Sequence, residues 1–164
     1  MSRYLINVFT ALLLLTIAGC GFHLRGGANL PDSMKQMYVQ GINLQQGIGL
    51  TLRRGLKQNG VTLVNDFDKD SAVLTIIENT FERRVLSVGS GAKVSEFELY
   101  GLIKFKVTDG DGEVLVALQD IEAQRDYQFD QTQVLSSDSE ERLLREALEQ
   151  QLVQSLLRLL SAAK

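Results

Sequence analysis

The spacing of apolar residues changes along the chain and separates helical from strand-like segments. From Leu44 to Leu56 apolar side chains recur every four residues, a spacing that predicts an amphipathic helix. Asn43 is placed to cap this helix at its start. Asn59-Gly60 is a stop signal, so we expect the helix to end at about residue 58.

Two short apolar segments flank this helix. Residues 34–40 place Met37 and Val39 on one face, and residues 61–64 follow the helix directly, so each segment predicts a strand. A strand, a helix and a second strand in this order predict a small βαβ unit.

From Ser71 onward apolar residues alternate with polar ones, a period typical of strands. The alternation predicts two long strands, Ala72–Val88 and Val94–Thr108, and a return strand over residues 113–129. Asp109-Gly110-Asp111-Gly112 separates the last two strands and predicts a tight hairpin turn, because glycine readily adopts positive φ.

A leucine-rich stripe near the end of the chain predicts a long helix. Ser137 and Glu140 have the spacing of a capping box, in which each side chain bonds the other's backbone amide. The polar side of this helix carries as much acid as base, which favours packing on the sheet over a membrane-surface or partner-binding role. We therefore predict an α+β fold, a two-layer sandwich of two helices packed on a mixed, mostly antiparallel sheet of about four strands.

The N-terminal segment has the features of an export signal. Arg3 precedes an apolar run over residues 4–19, which ends in Leu-Thr-Ile-Ala-Gly before Cys20. This pattern predicts a removed lipoprotein signal peptide over residues 1–19 and a single domain over residues 20–164. Cys20 would carry an N-acyl group and an S-diacylglycerol. The alternative is a retained membrane-spanning anchor, but a run of about 16 residues is shorter than the ~20 that a spanning helix needs.

The composition argues against several classes of function. The net charge is −3 at pH 7, which gives no support for nucleic-acid binding. One cysteine and one histidine cannot form a disulfide or a tetrahedral metal site. The histidine, His23, lies three residues from Cys20 and is poorly placed as a catalytic base. We expect no enzymatic activity, metal or cofactor.

Three further patterns have a structural explanation beside a functional one. Asp109-Gly-Asp-Gly suggests a calcium loop, but Val114 stands where that loop needs its turn glycine, so a hairpin is favoured. Gly89-Ser90-Gly91 suggests a phosphate loop, but no helix follows it. Acidic residues at strand spacing favour a solvated sheet face over a catalytic pair: Glu78, Glu82, Glu96 and Glu98.

Basic residues bracket the glycine-rich connection between the two long strands: Arg83, Arg84 and Lys93. One interpretation is that they are solvated charges that discourage aggregation along a sheet edge. The other is a local anion site, since the planar fork of arginine suits phosphate. The residues alone favour the first interpretation.

The sequence resembles the LPS-assembly lipoproteins of Gram-negative bacteria, the LptE (RlpB) family. The resemblance is clearest in Gly19-Cys20-Gly21-Phe22-His23-Leu24-Arg25, at the start of the expected mature chain. It extends in order through Leu30-Pro31, Asn59-Gly60-Val61, Glu96-Phe97, Phe129-Asp130 and the acidic start of the final helix.

The resemblance implies a fold of two helices on a four-stranded sheet and a role as a plug inside the outer-membrane β-barrel LptD. It also implies binding of lipopolysaccharide (LPS) phosphates by basic residues near the strand-to-strand loop. Ser90 stands near the position of the family's loop arginine, so Arg84 or Lys93 would supply that charge. Gly21 after the lipidated cysteine resembles the pattern sorted to the outer membrane, with the domain on its periplasmic side. The alternative is a lipoprotein adaptor that binds a periplasmic protein or peptidoglycan without contacting LPS.

Overall fold

The structure, a computed structural model, describes residues 30–89, 93–129 and 134–163. The predicted signal peptide, Cys20, Ser90 and Gly91 lie outside these ranges. After a 3₁₀ turn at Asp32–Met34 the described elements are β1 (Gln36–Gln40), α1 (Gly47–Gln58), β2 (Thr62–Val64), β3 (Ala72–Val88), β4 (Val94–Thr108), β5 (Val114–Gln128) and α2 (Val134–Ala162).

The strands form one mixed sheet in the order β2-β1-β3-β4-β5. β1 is parallel to β2, as expected of a βαβ unit, and also to β3, whereas β3, β4 and β5 are antiparallel. The predicted α+β class and both long strands are confirmed. The sheet has five strands, close to the predicted number of about four, and the three-residue β2 forms a short edge beside β1.

Both helices cover the same face of the sheet and enclose the core. Alternate residues of β4 point into it, with Leu99, Ile103 and Phe105 almost fully buried. Burial of each such side chain contributes about 1.5–3 kcal/mol. The leucine stripes of the helices complete the core with Leu52, Leu56, Leu148, Leu152, Leu156 and Leu160.

Both helices begin at different residues from those predicted. Asn43 accepts a hydrogen bond from the Gln45 amide at 2.9 Å within a local turn, and Gln46 is extended, so α1 begins at Gly47. α2 begins at Val134, three residues before Ser137. The predicted capping box is therefore wrong, since a cap must be the non-helical residue in front of the first turn.

β1 leaves the sheet abruptly after Gln40. Its register with β3 covers only Ala72 to Thr75, after which the chain turns at Gly41 with φ +85°. A Cβ atom at Gly41 would collide with the carbonyl oxygen of Ile76. A side chain at this position would therefore meet both backbone strain and a backbone collision.

We expect Gly41→Ala to lower the free energy of unfolding by about 3 kcal/mol, measured by urea denaturation. Gly112→Ala is the matched control, because Gly112 also has positive φ (92°) but no atom lies within 4 Å of the point that an added Cβ would occupy. In the control the free energy of unfolding should fall by only about 1 kcal/mol, which is the contribution of backbone strain alone. Equal losses in the two variants would show that β1 does not approach Ile76 this closely.

Candidate functional site at the tip of the long sheet

The three candidate basic residues lie near one end of the β3–β4 pair, which we call the tip. Arg83 and Arg84 are in β3, and Lys93 directly precedes β4. Neighbouring residues of a strand point to opposite faces, so Arg83 lies on the helix side and Arg84 on the open side. Lys93 is exposed, and its carbonyl accepts from the Gly89 amide at 2.8 Å. The structure thus places these residues in one region but does not bring the two arginines together.

Arg83 ties β3 to α2 through Glu141. Its Nη1 lies 2.9 Å from Glu141 Oε2, and the Tyr127 hydroxyl donates to the same oxygen at 2.7 Å. The guanidinium also stacks over Phe97, 4.6 Å from the ring centroid. β3, β4, β5 and α2 each contribute a residue to this cluster, the Arg83–Glu141 clasp. Because Arg83 is half-exposed, its ion pair contributes about 0.2–1 kcal/mol.

The clasp shifts two acid–base equilibria. Burial raises the pKa of Tyr127 to about 12, and its hydrogen bond to Glu141 adds to the effect. Burial would also raise the pKa of Glu141, but the hydrogen bonds from Tyr127 and Arg83 outweigh it and hold the pKa below its ordinary value. Both shifts favour the protonation states that form the hydrogen bond, a neutral Tyr127 and an ionised Glu141.

Arg84 has its own partners on the open face. Its Nη2 lies 2.7 Å from Glu82, and its guanidinium stacks over the Tyr100 ring at 3.9 Å. The other candidate carboxylates are also engaged, Glu78 by Lys104 at 3.1 Å and Glu96 by the Ser87 hydroxyl at 2.9 Å. Glu98 lies 3.9 Å from Arg84 and so shares it with Glu82. The four acids are thus ion-paired or hydrogen-bonded, which is the geometry of a solvated sheet face.

α2 brings further arginines to the tip that the sequence interpretation missed. A surface pocket of about 370 Å³ is lined by Arg83, Asp138, Glu141, Arg142 and Arg145. Arg145 also stacks on Phe81, 4.3 Å from the ring centroid. These arginines lie on the polar side of a helix, and sequence spacing does not reveal that this side approaches β3.

The Asp109–Gly112 segment is the predicted hairpin turn. Asp109 Oδ1 accepts from the Asp111 amide at 3.0 Å and from the Glu113 amide at 2.7 Å. These bonds occupy the carboxylate within the turn, which favours the hairpin over a calcium loop.

The tip lies far from the N-terminal end of the described chain. Leu30 is buried close to Met34, just before β1, and β1 runs parallel to the first residues of β3. The 17 residues of β3 then extend about 55 Å to the tip at roughly 3.3 Å per residue. Within residues 30–89, 93–129 and 134–163, neither helix is long and apolar enough to cross a membrane.

This elongated α+β fold places the chain in a class of bacterial lipoproteins of known structure. The solution structure of uncharacterized lipoprotein B from Nitrosomonas europaea matches with a TM-score of 0.72 at 31% identity, over 87% of this chain and 91% of that chain. The crystal structure of rare lipoprotein B from Shewanella oneidensis has a TM-score of 0.64 at 27% identity, with 75% and 91% covered.

The chain belongs to the LptE family, described as lipopolysaccharide-assembly, whose model matches residues 34–160. The LPS-assembly lipoprotein LptE of Photorhabdus laumondii is 26% identical over 158 residues, which cover 96% of this chain and 86% of that protein. The predicted family membership is confirmed. The family's name describes assembly and no catalytic activity.

The clasp predicts a pH-dependent contribution to stability. At pH 7 Tyr127→Phe should lower the free energy of unfolding by about 1–2 kcal/mol, because it removes a hydrogen bond to an ionised group. Since the pKa of Tyr127 is raised from 10.0 to about 12, this contribution is complete below pH 10 and is lost between pH 10 and about 12.

Urea denaturation of the wild type and of Tyr127→Phe at pH 7, 9, 11 and 12 measures the difference between their free energies of unfolding. In a Glu141→Gln background, Tyr127→Phe should lower the free energy of unfolding by a smaller amount at pH 7, because the hydrogen-bond acceptor is no longer ionised. A difference between wild type and variant that stays constant from pH 7 to 12 would contradict the clasp.

Proposed function

We propose that this protein is a non-catalytic outer-membrane lipoprotein that plugs the β-barrel LPS translocon LptD and assists the assembly of LPS at the cell surface. Its lipid anchor is Cys20, on the periplasmic side of the outer membrane. Membership of the LptE family supports the assembly role. The N-terminal sequence around Cys20 supports the anchor.

The length of the sheet carries this proposal. Leu30 is ten positions after Cys20, and an extended chain over ten steps reaches about 34 Å. From that end β3 continues for about 55 Å, whereas the hydrocarbon core of a bilayer is about 30 Å thick. A domain anchored in the inner leaflet can thus lie inside a barrel lumen with its tip well beyond the anchor.

The tip supplies cations suited to phosphate groups of LPS. Lys93 is exposed at the start of β4, and no ion pair of its side chain is found among the described residues. Arg83 and Arg84 lie further down β3 and are paired with carboxylates, so each would have to exchange a carboxylate oxygen for a phosphate oxygen. In this proposal Lys93 is therefore the first residue to contact an LPS phosphate, and Arg83 and Arg84 contact phosphate after it.

Lys93→Glu should weaken binding of purified LPS at least about tenfold, because one charge-assisted hydrogen bond contributes about 1.5–3 kcal/mol. Binding is measured with the full-length lipoprotein in detergent. Lys106→Glu is the matched control, since Lys106 is also an exposed lysine but lies within β4, toward the end of that strand opposite the tip. Unchanged affinity for Lys93→Glu, or equal loss in the control, would remove the tip from the LPS site.

A further inference from the structure

The polar surface of the helix layer has an uneven distribution of charge. No acidic residue occurs within residues 33–65, which include all of α1, or within residues 150–164, although the chain has 20. The acids and bases of α2 balance only over its whole length, because its acidic residues all lie at or before Glu149. α1 and the second half of α2 therefore present bases without acids: Arg53, Arg54, Lys57 and Arg158.

α1 and α2 pack closely and leave a groove between them on the side away from the sheet. A Cβ at Gly55 would come within 2.9 Å of Leu157 Cδ1 and 3.1 Å of Val153 Cγ1, so this glycine lets the two helices approach. The groove has a volume of about 330 Å³, and no carboxylate lines it. Its polar side chains can all donate hydrogen bonds: Thr51, Arg54, Gln58, Asn59, Gln150 and Gln154.

The bases of this surface are not neutralised by acids of the same chain. None of the four has an ion pair within residues 30–89, 93–129 and 134–163. Arg54 and Arg158 are exposed, and Arg158 Nη2 donates to the Ser155 hydroxyl at 2.8 Å, which is a neutral partner. The two arginines can therefore pair with an anionic group of another molecule without first breaking an ion pair.

The groove lies toward the anchor end of the sheet, away from the tip. α1 ends at Gln58, and the Thr62 amide shortly after it donates to the carbonyl of Lys35 at 2.7 Å, at the start of β1. α2 reaches the tip with Glu141, whereas it contributes residues from Gln150 onward to the groove. In a domain whose tip extends beyond its anchor into a barrel, the groove therefore lies near the periplasmic mouth of the lumen.

Resting on the plug function above, we propose that the groove between α1 and α2 docks against acidic side chains on the lumen wall of the barrel, near its periplasmic mouth. The interior of such barrels is polar. The planar guanidinium groups of Arg54 and Arg158 match a carboxylate with two parallel hydrogen bonds each. Lipid headgroups lie outside the barrel wall, so they do not reach the helix layer of a domain that fills the lumen.

This contact sets the rotation of the domain within the lumen, because the two faces of the domain differ in charge. The helix layer carries the unpaired bases of the groove, whereas acids predominate on the open face of the sheet: Glu78, Glu82, Glu98, Asp120 and Glu122. A wall with carboxylates on one side attracts the helix layer and repels the open face. Electrostatic complementarity of this kind selects one orientation of two partners.

Competition between two copies tests the proposal, because a lumen that holds one plug must choose between them. Wild type and a variant are expressed together as full-length lipoproteins with different tags. The barrel is purified from detergent-solubilised outer membrane, and each tag is quantified relative to its total amount in the membrane. Arg54→Glu and Arg158→Glu should each be depleted at least about tenfold. Arg54→Lys should be depleted less, since it keeps the charge but loses the planar fork.

Lys57→Glu and Lys106→Glu are a matched pair of variants. Both residues are exposed lysines, and neither has an ion pair among the described residues, but Lys106 lies on the open face of the sheet. Lys57→Glu should be depleted from the barrel, whereas Lys106→Glu should be recovered as well as the wild type. Thermal unfolding of each purified variant confirms that it is folded.

Folded groove variants that occupy the barrel as well as the wild type would overturn the proposal, as would equal depletion of Lys106→Glu. Equal competition together with weaker binding of Arg54→Glu to phosphatidylglycerol vesicles would also overturn it and assign the groove to lipid headgroups. Recovery of the wild type itself without a barrel would overturn the plug function, and this proposal with it.

Discussion

The packing of α2 against β4 is the contact on which the rest of the structure depends. Leu148 and Leu152 lie over Gly101, where a Cβ would come within 2.8 Å of Leu152 Cδ1 and 3.3 Å of Leu148 Cδ2. A glycine in the middle of a central strand therefore lets the helix approach the sheet closely. Because β4 pairs with both β3 and β5, this one contact holds the whole antiparallel half of the sheet.

Covering only one face of a long sheet has consequences for the surface. The open face must be stable in contact with water, and ion pairs such as Glu78–Lys104 and Glu82–Arg84 occupy it. The part of β3 beyond the end of β1 is left without a neighbour, and the tip extends past the place where β1 and α1 provide support. The exposed end and edge are thus where contacts with other molecules are expected, whereas the buried half near β1 maintains the fold.

Local patterns in the sequence predicted the strands well. The signals for strands and turns are local, such as the alternation of Phe97, Leu99 and Ile103 with polar residues and the glycines near residue 110. β3 and β4 accordingly have the predicted bounds. Helix starts were predicted less well, because Asn43 bonds its own turn instead of capping the helix. Only the tertiary structure decides between these two uses of an asparagine side chain.

The site at the tip was predicted only in part. Strand period alone places Arg83 and Arg84 on opposite faces, and the sequence interpretation did not use that signal. The partner of Arg83 is Glu141, 58 residues away, and no spacing rule connects them. Arg142 and Arg145 reach the same region for the same reason, because the direction in which α2 crosses the sheet depends on the packing of its leucines.

The most direct measurement is quantitative affinity purification of the native lipoprotein from detergent-solubilised outer membrane. We predict that it carries a large β-barrel protein at a one-to-one ratio, and that mass spectrometry of the purified chain begins at an acylated Cys20. Recovery of the lipoprotein without a barrel, or with a periplasmic protein in its place, would contradict its role as a plug and favour an adaptor.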